Sequence, residues 1–160
     1  MTRAYVALGS NMGDPRAQVL RGFEALSALP HTQLLARSRC YRSAPWGMTD
    51  QPEFVNAVAE LETTLAPRQL LDGLLDIERN AGRTREGARW GPRVLDLDLL
   101  LHGTAEFDEP GLNLPHPHLH ERAFVLLPLA DLAPELDVPG HGRVCDLLAR
   151  VDAVGCVPLD

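Results

Sequence analysis

The order of apolar and polar positions along the chain predicts both strands and helices. Short apolar runs or strict alternation, typical of strands, are found over residues 4–8, 34–43, 54–61, 94–101 and 112–114. Apolar positions repeating every three or four residues, or other helical signals, are found from Asp14 to Pro30, from Pro67 to Gly82, over 121–132 and over 144–151. Because no strict βαβ repeat links them, we expect one α/β (α+β) domain over residues 1–160. Its sheet should be mainly antiparallel, with helices packed on its faces.

The strand over 94–101 carries two aspartates. Leu95, Leu97 and Leu99 should face the core, so Asp96 and Asp98 should share the opposite face. Two carboxylates on alternate strand positions, with α-carbons about 6.5 to 7 Å apart, repel each other unless a cation lies between them. Mg²⁺ binds a few carboxylates together with waters and substrate phosphates. The pair indicates a magnesium site, and a solvated strand face is the alternative.

Arginines are concentrated just before this strand. The chain has no lysine, and five of its 15 basic residues lie within fifteen positions: Arg79, Arg83, Arg85, Arg89 and Arg93. The planar guanidinium donates two parallel hydrogen bonds to a phosphate, and phosphoryl transfer needs such charge neutralisation. No lysine-containing phosphate loop is present. A general preference for arginine would explain the missing lysines but not the clustering.

Composition excludes several classes of protein. The 160 residues are 45% hydrophobic and 23% charged, and no apolar run approaches the roughly 20 residues of a membrane span. The N-terminus lacks the pattern of a secretory signal, so a cytoplasmic location is expected. A net charge of −7 argues against nucleic acid or an anionic membrane as partner. Three widely spaced cysteines predict free, buried or partly buried thiols.

Alternating histidines in the C-terminal half suggest a different chemistry. His116, His118 and His120 are separated by single residues, two prolines keep the segment extended, and a zinc site is one interpretation. One functional histidine beside two surface histidines is the other.

Several segments together carry a family resemblance. They are Gly9-Ser10-Asn11, residues 41–47, residues 51–57, residues 89–98 with the run RWGPRVLDLD, and Leu114-Pro115-His116, followed by Arg122 and Phe124. In this order they closely resemble the 6-hydroxymethyl-7,8-dihydropterin pyrophosphokinase family over nearly the whole chain. The resemblance implies a three-layered α/β sandwich. It also implies transfer of the β,γ-pyrophosphoryl group of ATP to the pterin's hydroxymethyl oxygen, with release of AMP, in folate biosynthesis.

The resemblance further implies roles for individual residues. Asp96 and Asp98 would be ligands of two Mg²⁺ ions, and Arg83 and Arg93 would join them in catalysis. The implied ATP-binding residues are Glu78, Arg85, Trp90, Arg93, His116 and Arg122. The implied pterin-binding residues are Ser43, Pro45, Trp46, Gly47, Phe54, Asn56 and Phe124. ATP and the pterin are the expected partners of a monomeric enzyme. The alternatives are an inert nucleotide- or pterin-binding protein on the same fold and a zinc hydrolase.

Overall fold

The computed structural model describes residues 1–43, 52–82 and 94–159. The strands in these ranges are β1 (Thr2–Ser10), β2 (Thr32–Arg37), β3 (Tyr41–Ser43), β4 (Phe54–Thr63), β5 (Asp96–His102), β6 (Phe107–Glu109), β7 (Leu112–Leu114), β8 (Asp137–Val138), β9 (Gly142–Arg143) and β10 (Val157–Pro158). The helices are α1 (Pro15–Ser27), α2 (Pro67–Asn80), α3 (Ala123–Leu132) and α4 (Val144–Leu148), with a 3₁₀ turn at Leu119–Glu121.

Six strands form one sheet. Five of them follow one another in the order β10-β3-β4-β1-β5, and the sixth, β2, also pairs with β4. Every pairing in this sheet is antiparallel. The strands β6 and β7, and likewise β8 and β9, form small separate ladders. The mixed α/β architecture with an antiparallel sheet is therefore as the sequence predicts.

Alternate residues of the central strands fill two separate cores. On one face, Leu8, Ala57 and Leu97 pack with residues of α1 and α2 such as Phe23 and Leu70. We call this the α1/α2 face. On the other, which we call the α3/α4 face, side chains of the same strands pack with α3 and α4; the buried members include Tyr5, Val58, Leu101, Leu126 and Leu147. The predicted alternation in β4 and β5 is confirmed, because strand neighbours point to opposite faces.

The prediction of a single strand over 34–43 is wrong in one respect. The structure divides it into β2 and β3, and Arg37 pairs with Ala59 whereas Tyr41 pairs with Asn56. Three residues of one strand therefore oppose two of the other, which is a β-bulge. Ser38 holds the bulge: its N–H donates to the Val58 carbonyl at 2.9 Å, and its Oγ accepts from the Val58 N–H at 2.8 Å. In β3 the side chains of Tyr41 and Ser43 lie on the α3/α4 face, because they pair with Asn56 and Phe54.

The helix signals in the sequence hold with small shifts. Asp14 caps α1 by accepting from the Ala17 N–H at 3.2 Å, and Pro15 occupies the first turn. The helix predicted over 121–132 begins at Ala123, because a 3₁₀ turn precedes it, and it contains Pro128. The last helix ends at Leu148 rather than near Val151.

Two further expectations concern the cysteines and the membrane. Cys40, Cys145 and Cys156 are free, and each is buried or partly buried, as predicted. Burial also raises the pKa of the Cys156 thiol. No helix within the described ranges is both long enough and apolar enough to cross a membrane.

Candidate active site

One row of residues crosses three neighbouring strands on the α3/α4 face. Gly9 of β1 pairs with Asn56 of β4 on one side and with Asp96 of β5 on the other. Directly paired residues point to the same face, so the amide and the carboxylate lie on either side of a residue without a side chain. Two strand spacings separate them, which is about 10 Å. A single small molecule can span that distance.

The amide end of the row is held in a fixed orientation. Asn56 is 7% exposed, and its Nδ2 donates to the Ser43 hydroxyl at 2.7 Å. Because buried amides need partners, this bond determines which way the carboxamide points. A methyl group added at Gly9 would lie 3.1 Å from Asn56 Oδ1 and 3.9 Å from the ring of Phe54. The bare backbone at Gly9 therefore leaves room for the amide and the aromatic ring.

The acidic end of the row is the pair Asp96 and Asp98. Both are half-buried and flank the buried Leu97, so they share a face as predicted. Among the described residues no group of three or more His, Cys, Asp or Glu side chains gathers for a metal. Two carboxylates fit Mg²⁺, which completes its octahedron with water and phosphate oxygens, better than a metal that needs a closed protein cage. This donor set fits the magnesium implied by the sequence.

Arg122 lies between the acidic and aromatic parts of the site. It is 7% exposed, and its guanidinium carbon is 5.4 Å from the centre of the Phe124 ring, a cation–π contact. Burial lowers the pKa of Arg122, and the carboxylates of Asp98 and Asp96 act in the opposite direction. Arginine remains protonated in proteins, so the site contains a fixed positive charge beside the aspartates.

His116 is a neutral hydrogen-bond donor next to this arginine. Its N–H donates to the Leu100 carbonyl of β5 at 3.0 Å, and its ring Nδ1 accepts from the His118 N–H at 3.2 Å. The ring proton is therefore on Nε2. Burial, followed by the charges of Arg122 and His118, lowers the pKa of His116 to about 4. The ring is uncharged at neutral pH.

The other two histidines of the segment point to other partners. His118 Nδ1 is 3.4 Å from a carboxylate oxygen of Glu121. The ring of His120 stacks on that of His141, with centroids 4.0 Å apart. His118 and His120 thus both approach the Glu121 carboxylate, at 3.4 and 3.5 Å, whereas His116 lies beside Arg122.

Glu78 differs from the other predicted site residues. It belongs to α2, which packs on the α1/α2 face, and it is only 2% exposed. Its Oε2 accepts from the Leu97 N–H at 2.7 Å. The carboxylate thus contacts the backbone of β5 between the two aspartates.

The structure brings together most of the predicted site residues that it describes. Ser43, Phe54, Asn56, Asp96 and Asp98 line the sheet, and His116, Arg122 and Phe124 approach the same face from the segment before and within α3. Seven predicted residues lie outside the described ranges: Pro45, Trp46, Gly47, Arg83, Arg85, Trp90 and Arg93.

Reasoning from the sequence missed two contributions. In the sequence Gly9 stands out only as part of the segment Gly9-Ser10-Asn11, and nothing local to it shows that strands β4 and β5 place functional side chains beside it. The second is a clamp in which the Tyr41 hydroxyl donates to Asp131 at 2.8 Å while Arg39 binds the same carboxylate at 3.0 Å. The clamp joins the end of α3 to the start of β3. The alternation that puts Tyr41 opposite Leu34 and Cys40 holds, but a contact between residues 90 positions apart leaves no pattern in the sequence.

Comparisons with known proteins agree with this site. The sequence model of the family 7,8-dihydro-6-hydroxymethylpterin-pyrophosphokinase (HPPK) matches residues 5–134. The 2-amino-4-hydroxy-6-hydroxymethyldihydropteridine pyrophosphokinase of Pseudomonas aeruginosa is 54% identical over 147 residues, which cover 92% of this chain and 90% of the relative. The enzyme of the same name from Methylorubrum extorquens is 48% identical over 155 residues and 97% of both chains.

A solved structure shows the same fold at low identity. Plasmodium falciparum HPPK-DHPS, crystallised with pteroate, superposes with a TM-score of 0.72 at 14% identity. The match covers 93% of this chain but 42% of the Plasmodium chain, so this chain spans less than half the length of that protein.

Fold and site define an α/β enzyme domain in which a buried amide and a carboxylate pair lie on the same face of the sheet, on either side of one strand. The chain belongs to the 7,8-dihydro-6-hydroxymethylpterin-pyrophosphokinase family, because the family model and relatives at 54% and 48% identity match most of its length. Its class is that of a pyrophosphokinase.

Proposed function

We propose that this chain transfers the pyrophosphoryl group of ATP to the hydroxymethyl oxygen of 6-hydroxymethyl-7,8-dihydropterin and releases AMP, in folate biosynthesis. The observation that carries the proposal is the row Asn56, Gly9 and Asp96, which sets a buried amide about 10 Å from a carboxylate pair. An acceptor held at the amide can extend its hydroxymethyl group towards the carboxylates. The names of the relatives support the identity of that acceptor.

The pterin would bind at the amide end of the row. With Nδ2 of Asn56 engaged by Ser43, the Oδ1 atom can accept a ring N–H of the pterin. Phe54 and Phe124 would stack on the two faces of the ring, and offset stacking of this kind adds to the burial of aromatic surface. Pro45, Trp46 and Gly47 complete the proposed pocket.

ATP would bind at the acidic end. Arg122 would donate to a phosphate oxygen as a permanent cation, and His116 would donate from Nε2 without adding charge. Further proposed ATP-binding residues are Arg83, Arg85, Trp90 and Arg93. Of these, Arg83 and Arg93 are also proposed to be catalytic. The family resemblance adds Glu78 to the ATP-binding residues. The positive charges of the arginines would favour departure of AMP, because phosphoryl transfer depends mainly on positioning and charge neutralisation.

Asp96 and Asp98 would hold Mg²⁺, two ions by the family resemblance. Bound there, the metal would supply charge neutralisation and lower the pKa of the attacking hydroxyl. The chain's own contribution is to hold the two carboxylates on one face, flanking a buried leucine. Their mutual repulsion favours a cation between them.

Several finer features belong to the same proposal. We infer one domain over residues 1–160 that works as a monomer, with ATP and the pterin as its partners and neither nucleic acid nor membrane among them. The net charge of −7 supports the exclusion of polyanions. A cytoplasmic location suits an enzyme that consumes ATP.

The test is AMP formation from ATP and the pterin, followed by chromatography, with Mg²⁺ present or chelated. We expect AMP only when ATP, the pterin and Mg²⁺ are all present. The Asp96→Asn and Asp98→Asn variants should lose activity by about 100-fold or more, since metal ligands and their supports commonly carry effects of this size. Asp108→Asn, an exposed change on β6, is the matched control and should be fully active. Metal-independent AMP release, or undiminished activity of both variants, would contradict the proposal.

A further inference from the structure

The Glu78 carboxylate is buried next to β5, the strand that carries Asp96 and Asp98. Glu78 lies in the last turn of α2 and is 2% exposed, and its Oε2 is 2.7 Å from the Leu97 nitrogen. This distance is at the short end of the range for hydrogen bonds to a charged acceptor, about 2.7–2.9 Å. A buried carboxylate is costly without such bonds. An apolar residue would fill the same space without that cost, so this acid requires an explanation beyond packing.

The strand it contacts is at the edge of the sheet. β5 pairs with β1 on one side and is the last strand in the order of the six-stranded sheet. An edge strand lacks the second ladder of hydrogen bonds that holds a central strand in place. The Glu78 carboxylate supplies an acceptor to β5 from α2, a helix whose Leu70 and Leu74 are anchored in the core.

The position of that contact determines its consequence. Leu97 lies between Asp96 and Asp98, and both carboxylates owe their common face to the backbone at this residue. Any rotation or slip of the strand here would turn both side chains away from the site, because strand side chains alternate with a period of two. Fixing the Leu97 N–H therefore fixes the two carboxylates together.

We propose that Glu78 is a positioning residue: its hydrogen bond to the Leu97 N–H holds β5 so that Asp96 and Asp98 face the metal together. The inference rests on the proposed role of the aspartates as metal ligands. In this role Glu78 affects catalysis indirectly, by holding the backbone of β5. The family resemblance instead implies that Glu78 contacts ATP directly. The two roles make different predictions about kinetics and about the Leu97 amide.

The experiment compares Glu78→Ala with Glu78→Gln. The glutamine keeps an acceptor oxygen and should retain most of the wild-type behaviour. The alanine should lower kcat and weaken Mg²⁺ binding by about 10- to 100-fold, the usual effect of removing a group that orients metal ligands. The KM for the pterin should change little. Asp76→Asn on the same helix, where the acid is exposed and paired with Arg79 at 2.6 Å, is the matched control.

A second readout does not depend on turnover. In ¹⁵N-labelled protein the Leu97 amide should exchange its hydrogen faster in Glu78→Ala than in wild type, by about tenfold or more. Glu78→Gln and Asp76→Asn should keep it protected. Calorimetric titration of Mg²⁺ in the presence of a non-hydrolysable ATP analogue measures metal affinity directly. These measurements remain informative even if the wild-type protein forms no AMP, which would contradict the proposed function and not the contact.

Three results would overturn the inference. One is a higher KM for ATP in Glu78→Ala with Mg²⁺ binding and the Leu97 amide unchanged, which would indicate direct contact with the nucleotide. Another is a lower melting temperature with unchanged kcat and metal affinity, which would indicate a purely structural role. The third is equal loss of Mg²⁺ affinity in both Glu78 variants, which would show that charge and not the hydrogen bond matters. If the alanine variant does not fold, the glutamine variant still decides among these outcomes.

Discussion

At the scale of single residues, the site depends on side chains whose protonation and orientation are set by their neighbours. Asn56 is oriented by Ser43, and His116 is kept neutral by burial and by the charge of Arg122. Arg122 keeps its charge beside two carboxylates. Each group therefore presents one defined donor or acceptor to a ligand, which is the preorganisation that phosphoryl transfer requires.

The neutral state of His116 predicts how stability depends on pH. Its pKa is about 4 in the folded protein and near 6.5 when unfolded, so the unfolded chain binds more protons between these values. The ionisation of His116 should therefore not affect the free energy of unfolding at pH 7.5. It should lower this free energy progressively as the pH falls from 6.5 to 4. Urea unfolding at pH 7.5 and pH 5 measures this cost. The His116→Asn variant should lose less stability over that interval than wild type, because the remaining titratable groups are shared. An equal loss in both proteins would contradict the neutral buried ring.

At the scale of elements, the central strand β1 separates the two strands that carry the site's side chains. At Gly9 it contributes only its backbone to the site. The strand lies between β4 and β5, which carry the amide and the aspartates. Its backbone is extended at this position, so any residue could adopt the conformation, and the requirement for glycine comes from space. The nearest atom to an added methyl group is Asn56 Oδ1 at 3.1 Å.

Gly9→Ala should therefore displace the Asn56 amide without unfolding the protein. We expect the KM for the pterin to rise about tenfold, which corresponds to about 1.4 kcal/mol, while the KM for ATP changes less. Gly73→Ala is the matched control, since its methyl group would also lie 3.1 Å from its nearest neighbour, a methyl carbon of Leu29, in a helix. Steady-state kinetics with each substrate varied in turn checks this. Unchanged pterin KM in Gly9→Ala would refute the steric role of this position.

Prediction from the sequence succeeds for side-chain positions within an element and fails for contacts between elements. The faces of Asp96, Asp98 and Asn56 were predictable because each is flanked by apolar residues that alternate with it along a strand. The division of the predicted strand over 34–43 into β2 and β3 was not predictable, because the bulge at Ser38 depends on hydrogen bonds to Val58 of another strand. The bond between Glu78 and Leu97 joins residues 19 positions apart and leaves no periodic pattern. Local alternation is visible in one sequence, and contacts between elements are not.

At the scale of the whole molecule, the site lies where four strand ends meet. β1 and β3 end at this side of the sheet, and β4 and β5 begin there, so antiparallel pairing gathers Gly9, Ser43, Phe54 and Asp96. The clamp of Tyr41, Arg39 and Asp131 joins α3 to the same side of the sheet. Both helical layers thus support one site: α3 lies on its face, and α2 contacts β5 through Glu78.

We propose above all that a two-phosphorus unit moves from ATP to the pterin. ³¹P NMR of the mixture of ATP, 6-hydroxymethyl-7,8-dihydropterin, Mg²⁺ and protein tests it most directly. We expect AMP together with a pterin product whose two phosphorus signals are coupled to each other. ADP together with a pterin carrying a single uncoupled phosphorus would contradict it.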